Sequence, residues 1–155
     1  MPTLIIGHDT GTVPQVSIQL ETAGGSKRAV GEIDSGSVKS LCPLLYLEEL
    51  GLSMDDLVLN ERKGAPAVGP EFDTWSAKVG ICGQIMIPSL EENDLVPWDK
   101  LFNMDLVFAD TETLLLGQSD FFSAFDVQFV NGAEHDEGSE IRICRCPRGQ
   151  HARLG

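Results

Sequence analysis

The chain predicts a mainly β domain carrying one or two short helices, and three observations lead there. Short apolar runs alternate with polar residues at a period of two, turn residues punctuate them, and only two stretches show helical spacing. The 155 residues suffice for one hydrophobic core and are short for two lobes.

The elements follow in order. Val13, Val16, Ile18 and Leu20 mark a strand, Thr22-Ala23-Gly24-Gly25-Ser26-Lys27 supplies a turn, and Arg28-Ala29-Val30-Gly31-Glu32-Ile33 returns as its antiparallel partner. Residues 43–51 carry Leu44, Leu45, Leu47 and Leu50 with helix-favouring Glu48 and Glu49, and Gly51 stands as a stop, which predicts one short helix. Leu57-Val58-Leu59 reads as a strand, Gly64-Ala65-Pro66-Ala67-Val68-Gly69-Pro70 as a loop, and residues 75–81 and 84–88 as two further strands. Residues 89–103 mix acids with Pro97 and Trp98 without a clear period, so a surface insertion is expected. Met104-Asp105-Leu106-Val107-Phe108-Ala109 and Thr113-Leu114-Leu115-Leu116 are apolar enough for inner strands. A second short helix is expected over 118–125, with Phe121, Phe122 and Phe125 on one face, followed by a strand over 126–130. Beyond 131 the chain is charged and contains Gly, with one candidate strand at Ile141-Arg142-Ile143.

Charge and composition exclude several function classes. Acidic residues outnumber basic ones 24 to 11, and a net charge of −13 repels a phosphate backbone, so no nucleic-acid partner is expected. The same excess fits a solvated acidic surface, or in a peptide-binding protein a preference for basic substrates. No run approaches the roughly 20 apolar residues of a membrane helix, and Met1-Pro2-Thr3-Leu4-Ile5-Ile6-Gly7 lacks the basic start of a signal peptide. The expected location is the cytoplasm, with no membrane partner. Cys42, Cys82, Cys144 and Cys146 lack paired CxxC spacing, and Cys144, Cys146 and His151 read as a tail with spare thiols, so no metal is expected. His8, His135 and His151 are scattered, and no Ser/His/Asp or Cys/His arrangement for nucleophilic catalysis suggests itself.

Ile33-Asp34-Ser35-Gly36 carries the chemistry. Peptide hydrolysis by carboxylates needs two of them sharing one proton, one as base toward a water and the other donating to the peptide carbonyl. Such an Asp sits well at the end of an apolar strand, followed by a hydroxyl residue that hydrogen-bonds backbone and a Gly that admits close main chain. The tripeptide alone is weak evidence, because Asp, Ser and Gly also dominate turns. Asp9-Thr10-Gly11 matches the same pattern, yet nothing upstream could form a preceding hairpin and only 25 positions (34 − 9) separate the two, so it reads as a turn.

The context extends further. Gly31-Glu32-Ile33-Asp34-Ser35-Gly36-Ser37, the helix expected after it, and Leu114-Leu115-Leu116-Gly117-Gln118-Ser119-Asp120-Phe121-Phe122 followed by Phe125-Asp126-Val127-Gln128-Phe129 together resemble the retropepsin-like aspartic proteases. The resemblance covers about residues 13–130. It implies a closed β-barrel of the acid-protease half-domain type over 1–130, with 131–155 as a C-terminal strand or tail. It further implies Asp34 as the catalytic carboxylate, Ser35 as a hydroxyl bracing the loop across a dimer, Gly36 as the close-approach glycine, and Ser37 as the end of the active-site loop. Leu115, Leu116 and Gly117 map onto the family's hydrophobic-hydrophobic-Gly strand, and Gly64, Val68 and Gly69 fall in its flap. One motif per chain implies a homodimer with the site on its two-fold axis, a peptide or protein substrate and no cofactor. Two functions from different classes remain: an aspartic endopeptidase, and a catalytically silent dimeric module that binds peptides on the same fold.

Overall fold

The computed structural model describes residues 3–8, 13–60, 73–91, 94–130 and 139–146. In chain order the strands are β1 (Thr3–His8), β2 (Gln15–Thr22), β3 (Gly25–Ile33), β4 (Ser40–Pro43), β5 (Leu57–Leu59), β6 (Thr74–Ala77), β7 (Ile81–Pro88), β8 (Leu95–Pro97), β9 (Phe102–Met104), β10 (Leu106–Ala109), β11 (Leu114–Leu116), β12 (Phe125–Val130) and β13 (Ser139–Arg145). Among the described residues one α-helical turn, α1 (Phe121–Ala124), and two 3-10 turns complete the set, so the fold is mainly β as the alternation predicts.

The large sheet runs β5-β6-β10-β4-β11-β3-β2-β7-β8, with β9 also paired to β7. Its ladder has β5 and β8 as ends among the described residues, so backbone pairing does not complete the expected closed barrel there. The β2–β3 hairpin sets the register: Val16, Ile18 and Leu20 alternate into the core, and Thr22 pairs with Gly25 across a two-residue turn. Thr22 Oγ1 closes that turn by accepting the Gly24 and Gly25 N–H groups at 3.0 and 3.2 Å while donating to the Leu50 carbonyl at 2.6 Å. The hairpin tip thereby rests on the segment ending at Gly51, whose φ of +70° is the left-handed stop its position predicts.

Several expected elements change, among them the strand expected over 75–81, which is split between β6 and β7. Residues 43–51 do not form a regular helix: Pro43 ends β4, a 3-10 turn follows at Leu44–Tyr46, and the remaining bonds mix three-, four- and five-residue spacings. Seven residues between Pro43 and the left-handed Gly51 are too few to sustain an isolated helix, so the burial of Leu47 and Leu50 decides the backbone. The second helix shrinks to α1, because Phe125 already belongs to β12. Residues 89–103 are no irregular insertion: β8 and β9 both pair with β7, and Phe102 is buried. Three-residue strands are too short to show a period.

A second sheet, β1-β13-β12, joins the two ends of the described chain. Leu4 opposes Ile143 and Ile6 opposes Ile141 across β1 and β13, and both β13 isoleucines are fully buried in the common core with Phe108, Leu116, Phe121 and Phe125. The candidate strand at 141–143 is therefore the central strand of this sheet.

Arg145 on β13 ties the small sheet to the large one. Its Nε donates to Asp99 Oδ2 at 2.5 Å, a terminal nitrogen donates to the Lys100 carbonyl at 2.6 Å, and the guanidinium lies 5.1 Å from the centre of the Phe125 ring. Burial alone would raise the Asp99 carboxyl, but the Arg145 hydrogen bond, the Lys100 N–H and the two nearby cations together hold it below its ordinary value. A depressed carboxylate contributes stability above its unfolded pKa and loses it as pH falls through the folded one. The two side chains are only 18% and 25% exposed, so solvent screening is modest. Arg145→Gln is expected to lower stability by about 2 kcal/mol at neutral pH. That penalty should shrink on acidification below about pH 4. Urea midpoints at both pH values check it, and a pH-independent penalty would mean that packing on Phe125 carries the effect.

Candidate active site

β3 delivers the chain to Asp34 and β4 carries it away, yet these strands are not neighbours. β11 lies between them, parallel to β3 with Leu116 opposite Ile33, and antiparallel to β4 with Leu115 opposite Leu41. Residues 34–39 therefore bridge two strand spacings, roughly 10 Å, across the end of β11. Leu116 is fully buried and Leu115 half-buried, as fits an inner strand whose role is to fix this loop from below.

Hydrogen bonds hold the loop in its own turn and onto the chain after β11. Asp34 donates its N–H to the Leu116 carbonyl at 3.0 Å, its carbonyl accepts from Ser37 N–H at 3.2 Å, and its Oδ1 accepts the Gly36 N–H at 2.9 Å. The Ser37 and Val38 carbonyls accept from Gln118 N–H at 2.9 Å and Ser119 N–H at 2.8 Å, and Gln118 Nε2 reaches the Ser35 carbonyl at 2.6 Å. Gly117 packs tightly against this loop. A Cβ there would lie 2.7 Å from the Lys39 carbonyl carbon and oxygen and 2.7 Å from the Ser37 oxygen, all backbone atoms. Glycine is what allows the turn to lie against the loop.

The site residues expected from the sequence separate into three groups. Asp34, Ser35, Gly36 and Ser37 form one exposed turn, in which Asp34 and Ser37 are half-buried and the Ser37 hydroxyl donates to the Lys39 carbonyl at 2.6 Å. Leu115, Leu116 and Gly117 lie directly beneath that turn. Gly64, Val68 and Gly69 lie outside the described residues, as does Asp9-Thr10-Gly11. Lys39 Nζ and Asp105 Oδ2 are 3.4 Å apart at the loop's edge, and both are half exposed, so the pair contributes little.

Sequence reasoning missed two residues here. Ser40 is fully buried at the start of β4, its hydroxyl donating to Asp120 Oδ1 while its oxygen accepts the Gly117 N–H at 2.9 Å. Asp120, only 4% exposed, also accepts the Phe121 N–H on Oδ1 at 2.6 Å and the Asp105 N–H on Oδ2 at 2.8 Å. The Asp105 bond interrupts what reads as one strand over 104–109, separating β9 from β10. A signal for Asp120 exists in the sequence, since an Asp directly before an apolar helical start is an N-cap.

Cys144 and Cys146, the thiols of the tail, are free. Cys146 Sγ donates to Asp126 Oδ1 at 3.3 Å, and burial first, then that carboxylate, pushes its thiol up to about 11. Such a thiol carries less thiolate at neutral pH than an ordinary cysteine. Among the described residues no helix is long and apolar enough to cross a membrane.

The chain matches no protein-family model, and no curated protein sequence matches it. Among solved structures it is similar to the EIAV protease complexed with the inhibitor HBY-793, over 73% of this chain and 88% of that one, with a TM-score of 0.44 and 12% sequence identity.

Proposed function

We propose that this protein is a retropepsin-type aspartic endopeptidase that works as a homodimer, each protomer giving one Asp34 to a shared site. One observation supports this above the others: β11 lies between β3 and β4 and packs Gly117 against the loop that carries the half-buried Asp34. Such a loop spends several backbone hydrogen bonds on holding one acid, which an ordinary turn has no need to do.

In the dimer the two Asp34 carboxylates share one proton. The ionised one takes a proton from a water, whose oxygen attacks the carbonyl carbon of an extended peptide, while the protonated one donates to the carbonyl oxygen. The tetrahedral diol then collapses: the Asp34 that took the water proton donates it to the leaving nitrogen, the other Asp34 removes a proton from a diol hydroxyl, and the C–N bond breaks, which returns the pair to its singly protonated state. No group other than the two carboxylates and water is required. The exposed Ser35-Gly36 tip beside the half-buried Asp34 suits contact with a second copy.

The test is cleavage of a mixed peptide library from acidic to neutral pH, run beside the mass of the protein in solution. The expected result is a bell-shaped or acid-favoured activity that falls on dilution through the dimer–monomer transition. Peptide binding without cleavage at any pH would establish instead the silent module, and a strict monomer that cleaves would overturn the shared site.

A further inference from the structure

The peptide group joining Leu116 to Gly117 is held at both ends. Its oxygen accepts the Asp34 N–H at 3.0 Å and its N–H donates to Ser40 Oγ at 2.9 Å. Ser40 has one proton to give, and it gives that proton to Asp120 Oδ1. The bonds form one unbroken series from the Asp34 main chain, through a single peptide plane and a single hydroxyl, to a buried carboxylate. Each member donates in the same direction, the arrangement in which hydrogen bonds strengthen one another.

We propose that Asp120 is a positioning residue for Asp34, acting through this chain; the role rests on the peptidase reading given above. The carboxylate decides where the Ser40 proton points, and that leaves the Ser40 lone pair turned to Gly117. Without an acceptor at Asp120 the hydroxyl is free to rotate, the Leu116–Gly117 peptide loses its anchor, and the loop carrying Asp34 loses its fixed reference. A carboxylate suits the place better than an amide. Two oxygens receive three donors, Ser40 and Phe121 on one and Asp105 on the other, whereas the NH2 of an asparagine would face either the Asp105 N–H or the Ser40 and Phe121 donors. Burial is what pushes the Asp120 carboxyl up, and the three hydrogen bonds oppose it, so the site maintains its acceptor against a desolvation cost. The charged group facing it is Asp105, itself paired with Lys39.

The role separates from simple stabilisation in three readouts. Asp120→Asn is expected to lower kcat per folded dimer by about 10- to 100-fold with KM within about twofold, because misplacing a reacting group by a fraction of an ångström acts on the transition state. Amide hydrogen exchange at Asp34 and Gly117 should quicken at least about tenfold while the β2–β7 ladder keeps its rates. Ser40→Ala cuts the same chain and leaves Asp120 two of its donors, so it should reproduce both effects, and the double variant should lose little more than either single one. Ser40→Ala also serves if Asp120→Asn does not fold. An active wild type whose variants keep kcat and their exchange at Asp34 overturns the role alone, as do additive losses or exchange that quickens equally in every strand. An inactive wild type removes the peptidase reading, and this role with it.

Discussion

Gly117→Ala is expected to cost about 3 kcal/mol of stability and to abolish peptide cleavage, because the added methyl group meets main chain on two sides. The three nearest atoms belong to Lys39 and Ser37, each 2.7 Å from where the Cβ would stand. A side chain in that position could swing aside, but these carbonyls are engaged: Ser37 accepts the Gln118 N–H and Lys39 accepts the Ser37 hydroxyl. Relief therefore requires the Asp34 loop and the turn after β11 to separate, which breaks the bonds that aim the carboxylate. Urea unfolding with an unchanged slope and a lowered midpoint would report the effect. A variant within about 0.5 kcal/mol of wild type would show that the loop and turn do not touch as described.

The second large effect concerns Asp34 itself. Asp34→Asn keeps a side-chain oxygen for the Gly36 N–H, so the fold should be retained, yet it removes the group that takes and returns protons in the proposed mechanism. Cleavage is expected to fall at least about 10³-fold, within the range general acid–base groups contribute. Mixing makes the subunit claim quantitative. Equal parts of wild type and Asp34→Asn, allowed to exchange protomers, should show about one quarter of the activity of the same total protein as wild type, the statistical share of dimers with two aspartates. One half would mean that each protomer acts alone, and the shared-site mechanism would fall.

The legible parts of this molecule are those written in short-range patterns. Val16, Ile18 and Leu20 declare β2 by alternation, the glycines at 24 and 25 declare the hairpin, and Leu114-Leu115-Leu116-Gly117 declares a strand that must end against something close. Asp34 is readable because a strand, an acid, a hydroxyl and a glycine meet there in order. What escaped was set by partners far along the chain. Ser40 and Asp120 lie 80 positions apart, and nothing near either residue states that one is the acceptor of the other. β8 and β9 exist because β7 offers them an edge, and residues 43–51 follow the burial of Leu47 and Leu50 instead of their own helical preference.

The placement of β13 between β1 and β12 also governs the order of assembly. His8 lies opposite Ser139, so β1 finds its partner only after two segments 131 positions apart (139 − 8) have met. During synthesis the first strand therefore waits, unpaired, while the hairpins between β2 and β11 form, and it is captured only when β13 has been made. Such long-range closure belongs to the slow class of folding steps. A chain stopped short of residue 139 lacks Ile141 and Ile143 of the common core and leaves β1 and β12 without the partner strand they share.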